Sequence, residues 1–398
     1  MRKRDESGAI AVVVAVLTLA LMGMSAFVVD VGAAYANKRQ LQTSADAAAL
    51  GAAGVFAEQQ FRQCADIRLN GLTAATVEAE SKVVAHRSSL SPGVLTSFTA
   101  LCESGDLVVR TTVSATSPNI FGRVVGSGND YNIVRSAAAV VEAGNTAPRL
   151  RPMALCAADL PAATVPGTAF RLFAPGNGGA APGSCPIPPN PGNWWTLDCP
   201  VESGGTAALE DQIRNGCSTP IEIIPLQGAL TGAALNSHLA SRCPTVATAP
   251  SMCLSGDPGQ PDSGHIEDAW RDLIDQELTV PIPVFCAPSP GICATSSVTG
   301  TGTNAIFPVH KLIAVQICGY HFGKQNTRKY VNNSLAGCSG YSAETGSLMG
   351  DNSDDVYLLM IARNLQVSNV TADSTCQLGL SCDGGLRQVR MVSGGFSY

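Results

Sequence analysis

No cysteine precedes Cys64, and no charged residue occurs between Ala9 and Val29. The chain also lacks any C-x-x-C pair and any H-E-x-x-H among its five histidines. Zinc sites built on close ligand pairs are therefore not expected. There is no G-x-S-x-G elbow, which removes the strand-to-helix nucleophile of the α/β-hydrolases. Only 14% of residues are charged and the formal net charge is −6. A nucleic-acid binder needs a basic face, so that class is not expected either. The low charge content also argues against a charged, disordered chain.

What is present begins with the run from Ala9 to Val29, which is long enough to cross a bilayer as a helix. At roughly 1.5 Å per residue it spans about 30 Å, the thickness of the hydrocarbon core. Arg2-Lys3-Arg4 stands before it and Asp30 directly after it. Basic flanks stay in the cytoplasm, so the expected topology is N-terminus in, bulk of the chain out, in the cell membrane. The alternative is a cleaved signal peptide, with Ala34-Tyr35-Ala36 as a small-x-small site. The apolar segments of signal peptides run about 7–15 residues, shorter than this one, which favours a retained anchor.

The 14 cysteines all fall on the expected outer side. An even count in an oxidising space reads as disulfides. Proximity within segments suggests Cys64–Cys102, Cys286–Cys293 and Cys376–Cys382. From Asp30 onward no proline interrupts an alanine-rich stretch, so the helix is expected to continue to about Gln63. Ala45, Ala49 and Ala53 share one face at i, i+4 spacing. Small side chains let helix backbones approach closely, either with a partner helix or within the protein's own domain. If the face takes a partner, Ala49→Leu disturbs assembly and leaves the outer domain folded. Asp30, at the exit from the bilayer, either pairs with a basic residue of a neighbouring helix or is solvated among headgroups.

The segments Glu6-Ser7-Gly8-Ala9-Ile10-Ala11-Val12, Val29-Asp30-Val31-Gly32, Lys38-Arg39-Gln40-Leu41-Gln42 and Ala45-Asp46-Ala47-Ala48-Ala49-Leu50 together resemble the N-terminal segment of TadE/TadG-like proteins. Those belong to the Tad (Flp) pilus assembly systems of bacteria. The resemblance implies a structural component that associates with other assembly membrane proteins or minor pilins. It directs attention to Asp30, Gly32, Gln42, Ala45, Asp46, Ala49 and Ala53 as helix-association residues. Type IV pilins share the plan of a hydrophobic helix beneath a head, but their processing site needs a Glu at the fifth mature position. The fifth residue after Gly8 is Val13, so processing as a major pilin is not expected. The D-x-S-x-S metal loop of von Willebrand A domains, found in some TadG proteins, is absent; Asp373-Ser374-Thr375 lacks the second serine.

After the anchor, a second helical pattern runs from Leu72, with Val77, Val83 and Val84 as its apolar side, and ends at Pro92-Gly93. Strands are expected over 96–101, 106–115 and 131–141, with Ser104-Gly105-Asp106 as a hairpin turn and a short helix over 118–125. The expected fold class is α+β: a cytoplasmic tail over 1–8, a transmembrane helix over 9–29, a helix-plus-sheet unit over 30–147, and a disulfide-rich α+β domain over 148–398 with a mostly antiparallel sheet. In that domain helices are expected over 207–215, 232–243 and 265–276, and strands over 168–173, 194–197, 306–322, 356–367 and 386–392. Pro281 and Pro283 place their strand at a sheet edge.

Few constellations suggest chemistry. Asp262-Ser263-Gly264-His265 holds nucleophile and base types, but as a helix N-cap Ser263 needs no catalytic role. Asp351, Asp354 and Asp355 cluster as hard-cation ligands would, without the EF-hand spacing; a solvated turn accounts for them equally. Gly300-Thr301-Gly302-Thr303 feeds a strand and so cannot cradle phosphate at a helix start. Lys324, Arg328 and Lys329 form a small basic group, solvated or in contact with anionic envelope polymer. No cofactor and no enzymatic activity are expected. The alternative reading is a secreted or envelope-anchored hydrolase, which would gather His238, His265 or His321 in one pocket, or an adhesin, either built on the C-terminal domain.

Overall fold

The first helix, α1, runs unbroken from Ser7–Glu58, 52 residues or about 78 Å of rod. The structure, a computed structural model, describes residues 7–87, 92–119, 130–153, 155–157, 160, 165–173, 196–202, 204–225, 230–243, 252–257, 264–285, 297–300, 304–322, 329–335, 337–338, 356–367, 376–380 and 382–392. Beyond Glu58 the chain turns back as α2 (Cys64–Ala85) and descends along α1. Gly71 allows the crossing, since a Cβ there would lie 2.6 Å from the Phe56 ring. The face of α2 that packs is Ile67, Ala75, Ala79 and Val83, while Val77 and Val84 are exposed. This corrects the expected apolar side, of which only Val83 is buried. The alanine faces of two helices meet closely, which turns the larger valines outward.

Strands β1 (Val94–Glu103), β2 (Asp106–Ser117) and β3 (Tyr131–Ala143) form an antiparallel meander against α1. Ser104 (φ 51°) and Gly105 (φ 88°) make the first turn; positive φ at both central residues is the type I′ pattern that suits strand twist. Cys64–Cys102 joins the start of α2 to the end of β1.

The next elements are short: β4 (Thr146–Ala147), β5 (Leu155–Cys156), β6 (Ala169–Phe173), β7 (Leu197–Asp198), α3 (Thr206–Asn215), β8 (Ile221–Glu222), α4 (Gly232–Arg242), β9 (Cys253–Gly256) and α5 (Gly264–Asp275). They surround a sheet whose inner strands are β10 (Thr279–Phe285), β12 (Lys311–Phe322) and β14 (Val356–Ala362). Its order is β5-β10-β12-β14-β6, with β13 (Lys329–Val331) also on β12. β11 (Ile306–Pro308) pairs with β9 in a separate small sheet, so the expected strand over 306–322 is two strands in two sheets. Trp270, Leu273 and Ile274 of α5, with Ile213 of α3, fill the core against Ile282, Ile313 and Val315.

β10 is not an edge strand by order, contrary to the proline argument. Its parallel neighbour β5 reaches only Val284 and Phe285, and on that side Pro281 serves through its carbonyl alone, which accepts from the Arg151 amide at 2.9 Å. The rule on proline therefore holds locally and fails for the strand as a whole.

The last residues return to the first sheet. After β14, Arg363 and Asn364 carry the chain across to β15 (Leu365–Val367), and β16 (Leu386–Met391) lies antiparallel beside β3. The first sheet thus has the order β1-β2-β3-β16-β15. Arg390 of β16 bonds Glu142 of β3 across a separation of 248 residues. Described disulfides besides Cys64–Cys102 are Cys199–Cys217, Cys243–Cys253, Cys318–Cys338 and Cys376–Cys382. The α+β class and the long apolar helix are as expected from the sequence.

Candidate functional site

The rod divides into two halves with opposite surroundings. Through the lower half every large apolar side chain is exposed, from Ile10 at 64% to Val29 at 51%. This is the one helix among the described residues long and apolar enough to cross a membrane, and none of its most apolar window is buried within the protein. In the upper half Leu41, Ala45, Ala48, Ala49, Ala52, Ala53, Phe56 and Ala57 are buried. They meet Ala75, Ala79 and Val83 of α2 and Val109, Val113, Ala139 and Val141 of the sheet. Alanine suits this face because the rod must lie close to two layers at once.

Of the residues singled out for helix association, Ala45, Ala49 and Ala53 are fully buried in this protein's own core. The within-domain alternative is the arrangement present, and a partner helix has no access to them. Asp46 accepts from Gln42 Nε2 at 2.8 Å, and the same Nε2 reaches the Ser136 carbonyl at 3.3 Å, tying the rod to β3. Asp30 is only 5% exposed, so it does not face open headgroup solvent. Gly32 is the member of the set that opens outward: a Cβ there would meet nothing within 4 Å.

The top of the rod is held by the end of the chain. Asn364 Nδ2 donates to the carbonyls of Gln59 (2.6 Å) and Phe61 (2.8 Å), and the Asn364 amide donates to Gln60 Oε1 at 2.8 Å. Beneath this lies Asp383, whose carboxylate accepts from the amides of Gly379 and Gly385 at 2.9 Å each. It also accepts from Arg387 Nη1 at 2.5 Å, and Arg62 lies 3.5 Å away. Arg387 and the Asp383 side chain are fully buried. Burial alone would raise the Asp383 carboxyl; Arg387, Arg62 and the Gly379 amide outweigh it and hold the group below the usual range. Burial lowers Arg62 to about 10, against the pull of Asp383. Lys311 nearby falls to about 8, chiefly by burial. Gly384 makes the approach possible, because a Cβ there would sit 1.5 Å from the Leu312 carbonyl oxygen. Sequence reasoning missed this clasp. The Asp-Gly-Gly turn before Arg387 was its visible trace.

The residues weighed for chemistry lie apart. His238 Nε2, on α4, lies 2.9 Å from the Pro225 carbonyl. His321 stacks on Tyr357 in the second sheet, with ring centroids 5.4 Å apart. His265 is in the first turn of α5. Among the described residues no three His, Cys, Asp or Glu side chains are grouped to hold a metal. Asp351, Asp354, Asp355, Ser263, Cys286, Cys293, Lys324 and Arg328 lie outside the described residues. Of the suggested disulfides, Cys64–Cys102 and Cys376–Cys382 are present as pairs.

No curated protein and no solved structure matches the chain. Residues 8–55 match the model of the Tad family, "Putative Flp pilus-assembly TadE/G-like", so the segment similar to that family is the rod itself.

Proposed function

We propose that this protein is a membrane-anchored component of a Flp-type pilus assembly system, working by association and not by catalysis. The observation that carries the reading is that the family match over 8–55 coincides with one continuous helix, exposed and apolar below and buried in a head above. A rod of this kind transmits position from the bilayer to the head without a hinge. Helix propensity favours continuity, since Val31 to Ala57 contains no proline. The N-terminal tail is cytoplasmic and the head lies outside, where disulfides persist. Its partners are other assembly membrane proteins or minor pilins.

The test is to cross-link the full chain in its native membranes and identify what is recovered with it. Recovery with a secretion ATPase's platform membrane proteins or with pilins supports the reading. Recovery alone, or only with enzymes of the envelope, overturns it.

A further inference from the structure

The apolar run of the sequence ends at Asp30, but the apolar surface of the rod does not. Asp30 is buried, at 5% exposure, and Val31 and Tyr35 above it are 49% and 66% exposed. From residue 10 to residue 36 the rod therefore presents no exposed charge. That is roughly 40 Å of helix, enough for the hydrocarbon core and a headgroup layer. Tyr35 sits where interfacial aromatics collect. The first exposed charges are Lys38 and Arg39.

Two further cations stand at the same level. Gln40 Nε2 donates to the His86 carbonyl at 2.8 Å, which sets the end of α2, and with it Arg87, beside this turn of the rod. Gln42 contacts the Ser136 carbonyl, which sets Arg135 of β3 there too. Arg87 Nε donates to the Gly93 carbonyl and Arg135 Nη1 to the Val134 carbonyl. None of Lys38, Arg39, Arg87 and Arg135 has a carboxylate partner among the described residues. Higher on this unit Lys82, Arg110, Arg390, Arg62 and Arg387 each meet one, Arg68 being the exception. The acids at the lower end are Asp30, which is buried, Asp46, half-buried and accepting from Gln42, and Asp130, which accepts from the Asn119 amide.

We infer that Lys38, Arg39, Arg87 and Arg135 form a collar that binds anionic phospholipid headgroups in the leaflet beneath the head. Helical side chains tilt toward the N-terminus, so Lys38 and Arg39 lean back toward the bilayer. The collar then lies within about 8 Å of the phosphates, one Debye length at physiological salt. Its effect is to seat the head upright on the leaflet and to favour anionic lipid around the rod. The inference rests on the anchored reading of the rod.

The test uses the full chain with Phe27→Trp, an exposed position in the outer part of the span, in vesicles of brominated phosphatidylglycerol or brominated phosphatidylcholine. Quenching of the introduced indole by both lipids reports insertion. Preferential quenching by phosphatidylglycerol, by about fivefold in relative binding for each collar charge that engages a lipid, supports the collar. That preference disappears in a Lys38→Gln, Arg39→Gln, Arg87→Gln, Arg135→Gln variant and with 0.5 M salt, whereas Arg68→Gln leaves it intact. Equal quenching by the two lipids in the unmodified collar overturns the inference. Quenching by neither lipid overturns the anchored reading itself. Should the fourfold variant fail to fold, Lys38→Gln with Arg39→Gln, both exposed, gives a partial loss.

Discussion

At the scale of single residues, the Asp383 carboxylate does the most. It joins the end of the rod, through Arg62, to β16, through Arg387, and both arginines are deeply buried. Removing one partner of a buried ion pair leaves the other charge uncompensated. Asp383→Asn should therefore destabilise the protein by about 3–5 kcal/mol in chemical denaturation of the detergent-solubilised chain. Its folded pKa lies below the ordinary value, so its contribution is complete above about pH 4 and is lost as pH falls through the folded value. Asp198 behaves oppositely. Burial, then Asp257, pushes it up to about 6. Between about pH 4 and pH 6 the folded state keeps a proton that the unfolded state has released, so stability falls as pH rises through that window. Asp106, raised to about 6 by burial and Glu142 against Arg390, adds a fall of the same sign. Asp198→Asn should raise the melting temperature at pH 7 relative to pH 4; an unchanged difference between the two pH values would contradict the assignment. None of these three carboxylates stood out in the sequence, because burial, the largest influence on each, is set by the fold, which also brings up Arg62, Asp257 and Glu142.

At the scale of elements, the sequence made the rod and most strands legible and hid their assembly. The unbroken alanine-rich stretch announced a helix through the membrane and beyond it. The period of two in Leu107, Val109, Thr111 and Val113 announced β2. What packs on what did not follow, because alanine spacing suits a partner helix and an internal sheet equally well. The structure has the sheet, and this changes what Ala49→Leu is expected to do. Ala49 is fully buried, and the added side chain would press on the protein's own core. A loss of about 1–3 kcal/mol in stability is expected, measured on the purified chain away from any partner. The Cys64–Cys102 link closes a loop of 38 residues, which constrains the unfolded state by about 4 kcal/mol. Replacing both cysteines with serine should lower the denaturation midpoint accordingly. A change below about 1 kcal/mol would show that the link adds little to the packing of α2 on β1. The run over 356–367 reads as one strand from its residues, yet Arg363 and Asn364 divide it between two sheets. Period and composition carry no mark of such a crossing.

At the scale of the whole molecule, strands from late in the chain close the head that the upper half of α1 opens. β16 inserts between β3 and β15, and the turns around it grip the top of α1. The first sheet is complete only when the last residues arrive, so the head is closed by contacts of large sequence separation, and folding is expected to be slow for that reason. On the anchored reading proposed above, the rod is fastened at both ends: by lipid below and by the C-terminal clasp above. This continuity is the central claim, and amide hydrogen exchange of the full chain in lipid nanodiscs tests it most directly. The account predicts slow exchange across 9–29, 30–40 and 41–58 alike, with no gap where the helix leaves the bilayer; fast exchange confined to 30–40 would show a hinge there and contradict it.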